Sequence, residues 1–185
     1  FSRTASLNFL ISASKNELVI RLDARTKIGK SYIRDIVNLA KERAVSNVGG
    51  VIIPIGSSKK QIEISKIMRS PIFFGNGAFR RSDYKGYVSS VYLGSYRKSM
   101  MPKQPWFDEK NFLISEDSDL NYRIIKNGGS IYIDSKIKVE HLCRETTKEL
   151  LILCYNYGVG RGIFFMKHKS ILAVRQIIPQ ASLII

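Results

Sequence analysis

Short β-branched apolar runs alternate with stretches of helical period along this chain, and few architectures accommodate that order. Residues 17–22 (Glu-Leu-Val-Ile-Arg-Leu) read as a buried strand. Residues 31–43 then place Ile33, Ile36, Val37 and Ala40 on one face of a predicted helix. A second apolar strand is expected over 48–53, entered through Gly49-Gly50 and closed by Pro54. Ser58 with Gln61 forms a capping-box signature for a helix through about Met68. This succession favours an α/β sheet over a bundle or a sandwich. With 185 residues, 44% of them apolar, one domain with a real core is expected. The chain opens at Phe1 as if already inside a domain, so it reads as a fragment.

The remaining segments are read the same way. A short helix is expected within residues 1–16, and 82–105 read as a long loop around a short apolar run at 87–93. Residues 130–134 and 136–140 alternate apolar and polar, as two strands with one solvated face. Thr146 with Glu149 opens an apolar helix expected to stop at Gly158.

Against this frame stands an acidic cluster. Five of the fifteen acidic residues (Asp108, Glu109, Glu116, Asp117 and Asp119) fall between positions 108 and 119 of a chain whose formal charge is +15. Crowded carboxylates raise one another's pKa, and a metal, a cationic partner or a catalytic role usually relieves the cost. A structural reading is equally compatible. Ser115 would cap a helix whose first turn carries acids favoured by the macrodipole, with Leu120 and Ile124 facing the core and Gly128 ending it. Asp23 lies just beyond the first strand, where α/β sheets bind ligands, and a turn aspartate reads as well there. Trp106, the single tryptophan, sits beside Asp108 and Glu109, a pairing that suits a sugar ring or a core position.

Thirty Lys and Arg imply an anionic partner, but they are scattered without a long run. A basic nucleic-acid-binding module is therefore a minor alternative, and the acidic cluster would interrupt any phosphate track. Cys143 and Cys154 are too few for a disulfide framework, and with His141 and His168 they lack zinc-ligand spacing. Residues 161–185 combine aromatics and aliphatics with Arg161, Lys167, Lys169 and Arg175, the composition of an amphipathic membrane-proximal segment.

Six segments taken in order resemble a family 2 glycosyltransferase: Arg21-Leu22-Asp23-Ala24-Arg25, Val48-Gly49-Gly50, Phe74-Gly75-Asn76-Gly77, Phe107-Asp108-Glu109, residues 116–123 and Tyr157-Gly158-Val159-Gly160-Arg161. The likeness is nearest to the membrane-associated bacterial enzymes of exopolysaccharide synthesis, of the succinoglycan glucosyltransferase type. It implies a partial GT-A fold, Rossmann-like and lacking its first strands, over residues 1–160, with the membrane-proximal segment at 161–185. It implies transfer of a sugar from a nucleotide-sugar to a saccharide or lipid-linked acceptor, with inversion, at the cytoplasmic face of the bacterial inner membrane, with no nucleic acid involved. Asp117 then falls at the position of the base. Asp23, Arg25 and Arg161 fall on the donor side, and Trp106, Phe107, Asp108 and Glu116 on the acceptor side. Asp23 and His141 would hold Mg²⁺ or Mn²⁺. Arg25, at the third position of the DxD-like triplet, departs from the family pattern and would repel a cation. That departure keeps open an inactive, scaffold-like relative, and the fragment alone is expected to be inactive. The reading requires Asp23 and Asp117 to face one cleft.

Overall fold

The computed structural model describes residues 2–71, 77–112 and 114–170. The Phe74-Gly75-Asn76 part of one motif and residues 171–185 of the expected membrane-proximal segment lie outside the described residues. The described part is mixed α/β. Its helices are α1 (Arg3–Ala13), α2 (Tyr32–Glu42), α3 (Lys59–Arg69), α4 (Glu116–Lys126) and α5 (Thr147–His168). Its strands are β1 (Leu18–Ile20), β2 (Thr26–Ile28), β3 (Asn47–Ile55), β4 (Lys85–Tyr87), β5 (Tyr92–Arg97) and β6 (Ile131–Leu142).

The strands form one sheet in the order β1-β5-β3-β6-β2, with β4 also paired to β6. Only β3 and β6 run parallel; every other pairing is antiparallel. Period-two alternation of a strand sends neighbouring side chains to opposite faces, and β6 shows it directly. Ile131 and Ile133 join Leu120 and Ile124 of α4, Val51, Tyr96, Trp106 and Phe107 in one core. Tyr132 between them joins Ile36, Leu39 and Ala40 of α2 with Val48 and Val139 in another. Helices thus cover both faces of the sheet. In α2 the buried residues are Tyr32, Ile36, Leu39 and Ala40, so the apolar face is rotated from the expected one and Ile33 is exposed. The α3 capping box forms as expected, with the Ser58 hydroxyl accepting from the Gln61 amide N–H.

Three expectations fail for local reasons. The expected loop at 82–105 contains two strands, and β5 lies inside the sheet between β1 and β3. Its Gly94 and Ser95 gave no periodic signal, yet Leu93, Ser95 and Tyr96 are buried. The two strands expected at 130–140 are one twelve-residue strand. Its register against β3 shifts from Gly49↔Ile133 to Val51↔Lys138, and residues 134–137 bulge. Gly50 sits at that shift because a Cβ there would lie 2.1 Å from the Ile137 carbonyl oxygen. Finally, α5 does not stop at Gly158 but continues for 22 residues to His168. The boundary expected between residues 160 and 161 therefore falls inside one helix. Tertiary packing overrides the weak helix propensity of glycine here. Gly160 is buried where α5 crosses the start of α4, and a Cβ on it would come 2.4 Å from Ser115 Oγ.

Candidate active site

Arg21 organises the site. It leaves the end of β1 with its guanidinium split between two acids: Nε to Asp23 Oδ1 at 2.8 Å, Nη2 to Asp23 Oδ2 at 3.2 Å, and Nη1 to Glu116 Oε1 at 2.9 Å. One planar fork thus ties the end of a strand to the first turn of α4. Arg3 from α1 holds the other Glu116 oxygen. The Asp23 side chain keeps 35% of its surface exposed, whereas Glu116 keeps 2%. Glu116, expected on the acceptor side, is instead a buried ion-paired support.

Asp117 follows Glu116 in the first turn of α4, half-buried, with Oδ1 accepting the Ser118 amide N–H at 2.8 Å. Its pKa is raised, first by burial and then by the Glu116 carboxylate, with Arg21 opposing both. A carboxylate with a raised pKa is a stronger base, which suits removal of a proton from a hydroxyl. Asp23 and Asp117 both act electrostatically on the Tyr92 phenol, so the structure brings these two sequence-distant acids into one region. The cap beneath them differs from expectation. Ser115 takes a left-handed conformation (φ 63°) and its side chain caps nothing.

His141 lies near the end of β6, its Nδ1 2.8 Å from Tyr92 Oη. Burial raises the Tyr92 pKa, so its hydroxyl stays protonated beside the imidazole. Burial first, then Arg144 and Arg25, lower the His141 pKa to about 4, with Asp23 opposing. Arg80 adds to the same positive surroundings. Arg25 Nη2 donates to the Cys143 carbonyl oxygen at 3.2 Å, and its Nε is buried without a partner. Arg161, from α5, acts on Arg80, and Tyr157 of the same helix lies close to Arg80 and Arg144. The expected donor-side residues Arg25 and Arg161 therefore border one cationic region.

Other expected residues have different surroundings. Trp106 and Phe107 are 4% and 0% exposed and belong to the core, so neither offers a ring face to a sugar. Trp106 floors a shallow groove of about 510 Å³ between α1 and residues 104–109, which none of Asp23, Asp117 and His141 lines. Asp108 accepts from Lys167 Nζ at 2.7 Å and Asn111 Nδ2 at 2.8 Å. Burial pushes its pKa up, but these donors outweigh burial and hold it below the usual carboxylate range. Asp119 is fully buried and bonded to Arg123 Nε (2.9 Å), Lys167 Nζ (2.8 Å) and His168 Nε2 (2.8 Å), which fastens the end of α5 to α4.

The expected metal pair does not form a site. Among the described residues no three His, Cys, Asp or Glu side chains converge as ligands. Asp23 is gripped bidentately by Arg21, and His141 presents one nitrogen to Tyr92 while facing guanidinium groups. A hard dication prefers several oxygen ligands, and this donor set supplies too few. Sequence reasoning also missed Arg21, Tyr92, Arg144 and Tyr157. For Arg21 a signal existed, since residues 21 and 23 point the same way from an extended strand.

No family model matches the chain. It is 24% identical over 139 residues, 75% of its length, to the dolichyl N-acetyl-α-D-glucosaminyl phosphate 3-β-D-2,3-diacetamido-2,3-dideoxy-β-D-glucuronosyltransferase of Methanococcus voltae, covering 43% of that protein. It is also 24% identical over 166 residues, 90% of its length, to the succinoglycan biosynthesis protein ExoA of Rhizobium meliloti, covering 50% of that protein. The chain thus spans about half the length, or less, of the curated relatives it matches. Both similarities are consistent with a family 2 glycosyltransferase-like protein.

Proposed function

We propose that this glycosyltransferase-like chain carries the acceptor-activating acid and part of the donor site of an enzyme that moves a sugar from a nucleotide-sugar to a saccharide or lipid-linked acceptor. The observation that carries the reading is the Arg21 bridge, which holds Asp23 at a strand end beside the α4 turn bearing Asp117. The mixed sheet flanked by helices supports a partial GT-A fold. In the reaction, the acceptor oxygen forms a bond to the anomeric carbon while the bond from that carbon to the diphosphate oxygen breaks. The acceptor proton passes to Asp117, whose raised pKa makes it a competent base, and attack from the face opposite the leaving group inverts the centre. The leaving nucleoside diphosphate gathers negative charge beside Arg25 and Arg161. A protein-held divalent metal takes no part in this account, because the residues that would ligate it are otherwise engaged.

The outer side of α5 supports contact with a membrane surface. Leu151, Ile152, Tyr155, Val159 and Met166 are all exposed, and no charged residue interrupts 150–160. No helix among the described residues is long and apolar enough to cross a membrane. The exposed apolar side of α5 suits a protein lying on a membrane surface, here read as the cytoplasmic face.

The test is transfer from labelled nucleotide-sugars by the intact protein. Asp117→Asn should lower kcat by about 10²–10⁴-fold with folding retained, the usual contribution of a positioned base. Retained turnover in that variant would remove Asp117 from the role.

A further inference from the structure

Arg25 is the residue at which this chain departs most from what a metal site needs. It stands two positions after Asp23, where a second ligating group would otherwise be expected, and its guanidinium reaches the Cys143 carbonyl beside His141. Arg144, Arg25 and Arg80 all act on His141, and the Asp23 carboxylate opposes them. That carboxylate is already matched by Arg21. Among the described residues neither Arg25 nor Arg144 is ion-paired. Both act on Glu149, whose carboxylate is engaged by the Glu145 and Thr146 amides at the start of α5. The buried Arg25 Nε has no partner at all. Leaving a buried donor of a charged group unmet costs free energy, so such a donor points to an acceptor that arrives from outside.

An arriving cation would meet net repulsion here, and an arriving polyanion would meet attraction. Guanidinium groups supply planar, permanently charged forks that match phosphate oxygens two at a time. We propose that this chain holds the leaving diphosphate of its donor with a fixed arginine cradle built on Arg25 and Arg144, with Arg80 and Arg161 at its margin, in place of a protein-ligated divalent cation. The proposal rests on the glycosyltransferase reading for the identity of the ligand but not for the existence of the anion site. The bond to the anomeric carbon breaks towards the diphosphate oxygen, and the electron pair left on it is stabilised by the guanidinium N–H donors, that of Arg25 held in place by the Cys143 carbonyl before the substrate arrives.

The test is calorimetry of the chain with inorganic pyrophosphate, in EDTA and separately with Mg²⁺ or Mn²⁺. Binding in EDTA should equal or exceed binding with metal, since metal competes for the pyrophosphate. Arg25→Gln and Arg144→Gln should each weaken it by about tenfold or more, the loss expected for one charge-assisted pair. Arg25→Lys, which keeps charge but loses the fork, should fall between. Arg25→Asp should abolish binding in EDTA and make it metal-dependent. Circular dichroism and thermal melts identify any variant that fails to fold, and the remaining variants then carry the comparison. Pyrophosphate binding that requires metal in the unmodified chain would overturn the cradle, as would folded Gln variants that bind normally. Metal-free, Arg25-dependent binding by a protein that turns over no nucleotide-sugar would leave the anion site standing and remove the transferase reading.

Discussion

Helix α5 contains three glycines, Gly158, Gly160 and Gly162, and replacing each in turn by alanine isolates the contact that lets this helix cross α4. In a helix interior, glycine to alanine gains about 1 kcal/mol from propensity alone. A Cβ at Gly158 or Gly162 would meet nothing within 4 Å, so these two changes should stabilise by about 0.5–1 kcal/mol each. At Gly160 the same atom would lie 2.4 Å from Ser115 Oγ, 3.0 Å from Ser115 Cβ and 3.1 Å from the Ile114 carbonyl oxygen. The hydroxyl can rotate aside, but the other two atoms are fixed to the backbone, so part of the overlap persists. Overpacking of this kind costs about 1–3 kcal/mol, which cancels or exceeds the propensity gain. Gly160→Ala should therefore fall about 1–3 kcal/mol below the other two, the overpacking cost itself. Urea unfolding followed by circular dichroism reads the difference as a shift in midpoint at constant slope. Ser115→Gly combined with Gly160→Ala should recover most of the loss, because it removes the hydroxyl and the Cβ and suits the left-handed backbone at 115. If Gly160→Ala stabilises as much as its neighbours, the close crossing of α5 over α4 is refuted.

Asp119→Asn leaves Arg123, Lys167 and His168 around an uncharged group in a buried place, and unfolding in urea should show a loss of about 3 kcal/mol. A loss under about 1 kcal/mol would mean the three contacts are not made together. The His141 pKa lies near 4, below its ordinary 6.5, so the unfolded chain takes up a proton that the folded one refuses. Its contribution is complete above pH 6.5 and fades as pH falls towards 4, by about 1–2 kcal/mol after discounting for solvent exposure. His141→Gln should flatten that part of a stability-against-pH curve, and an unchanged slope would contradict the assignment. In transfer assays, the acid limb of kcat/KM should sit above the ordinary aspartate range, because burial and Glu116 raise the Asp117 pKa. Glu116→Gln removes the like charge and should move that limb to lower pH; movement upward would contradict the electrostatics. Leu151→Glu with Tyr155→Glu should abolish co-sedimentation with anionic vesicles while leaving pyrophosphate binding unchanged, and persistent co-sedimentation would exclude this face of α5.

Most of the scaffold was legible wherever period and caps coincide. Ser58 and Gln61 and the apolar run before Pro54 mark elements that form within a residue or two of their expected limits, and Thr146 with Glu149 marks where α5 starts. Strand β5 was hidden because Gly94 and Ser95 owe their burial to neighbouring strands and not to their own character. The length of α5 was hidden for a related reason, since Gly160 answers to Ser115 across the fold. Within the candidate site, Asp23 and Asp117 could be singled out by position, and Arg21 ties Asp23 to Glu116, the residue before Asp117. The difference between an available carboxylate and one already claimed could not be read from composition. Glu116, Asp108 and Asp119 look alike in sequence, yet each is held by a different set of cations supplied from α1, β1, α4 and α5. Trp106 shows the same limit, because a tryptophan beside acids has one signature whether its ring faces solvent or the core.

The single guanidinium shared by Asp23 and Glu116 has a mechanical consequence. A rigid plane with three of its nitrogens engaged cannot follow one acid without tilting against the other. Any ligand that draws Asp23 outward must therefore twist the first turn of α4 and with it the residue next to Glu116. Arrival at the strand end and alignment at the helix start are geared to each other through one side chain, and lysine in its place, a lone point charge on a flexible stem, would let the two ends move independently.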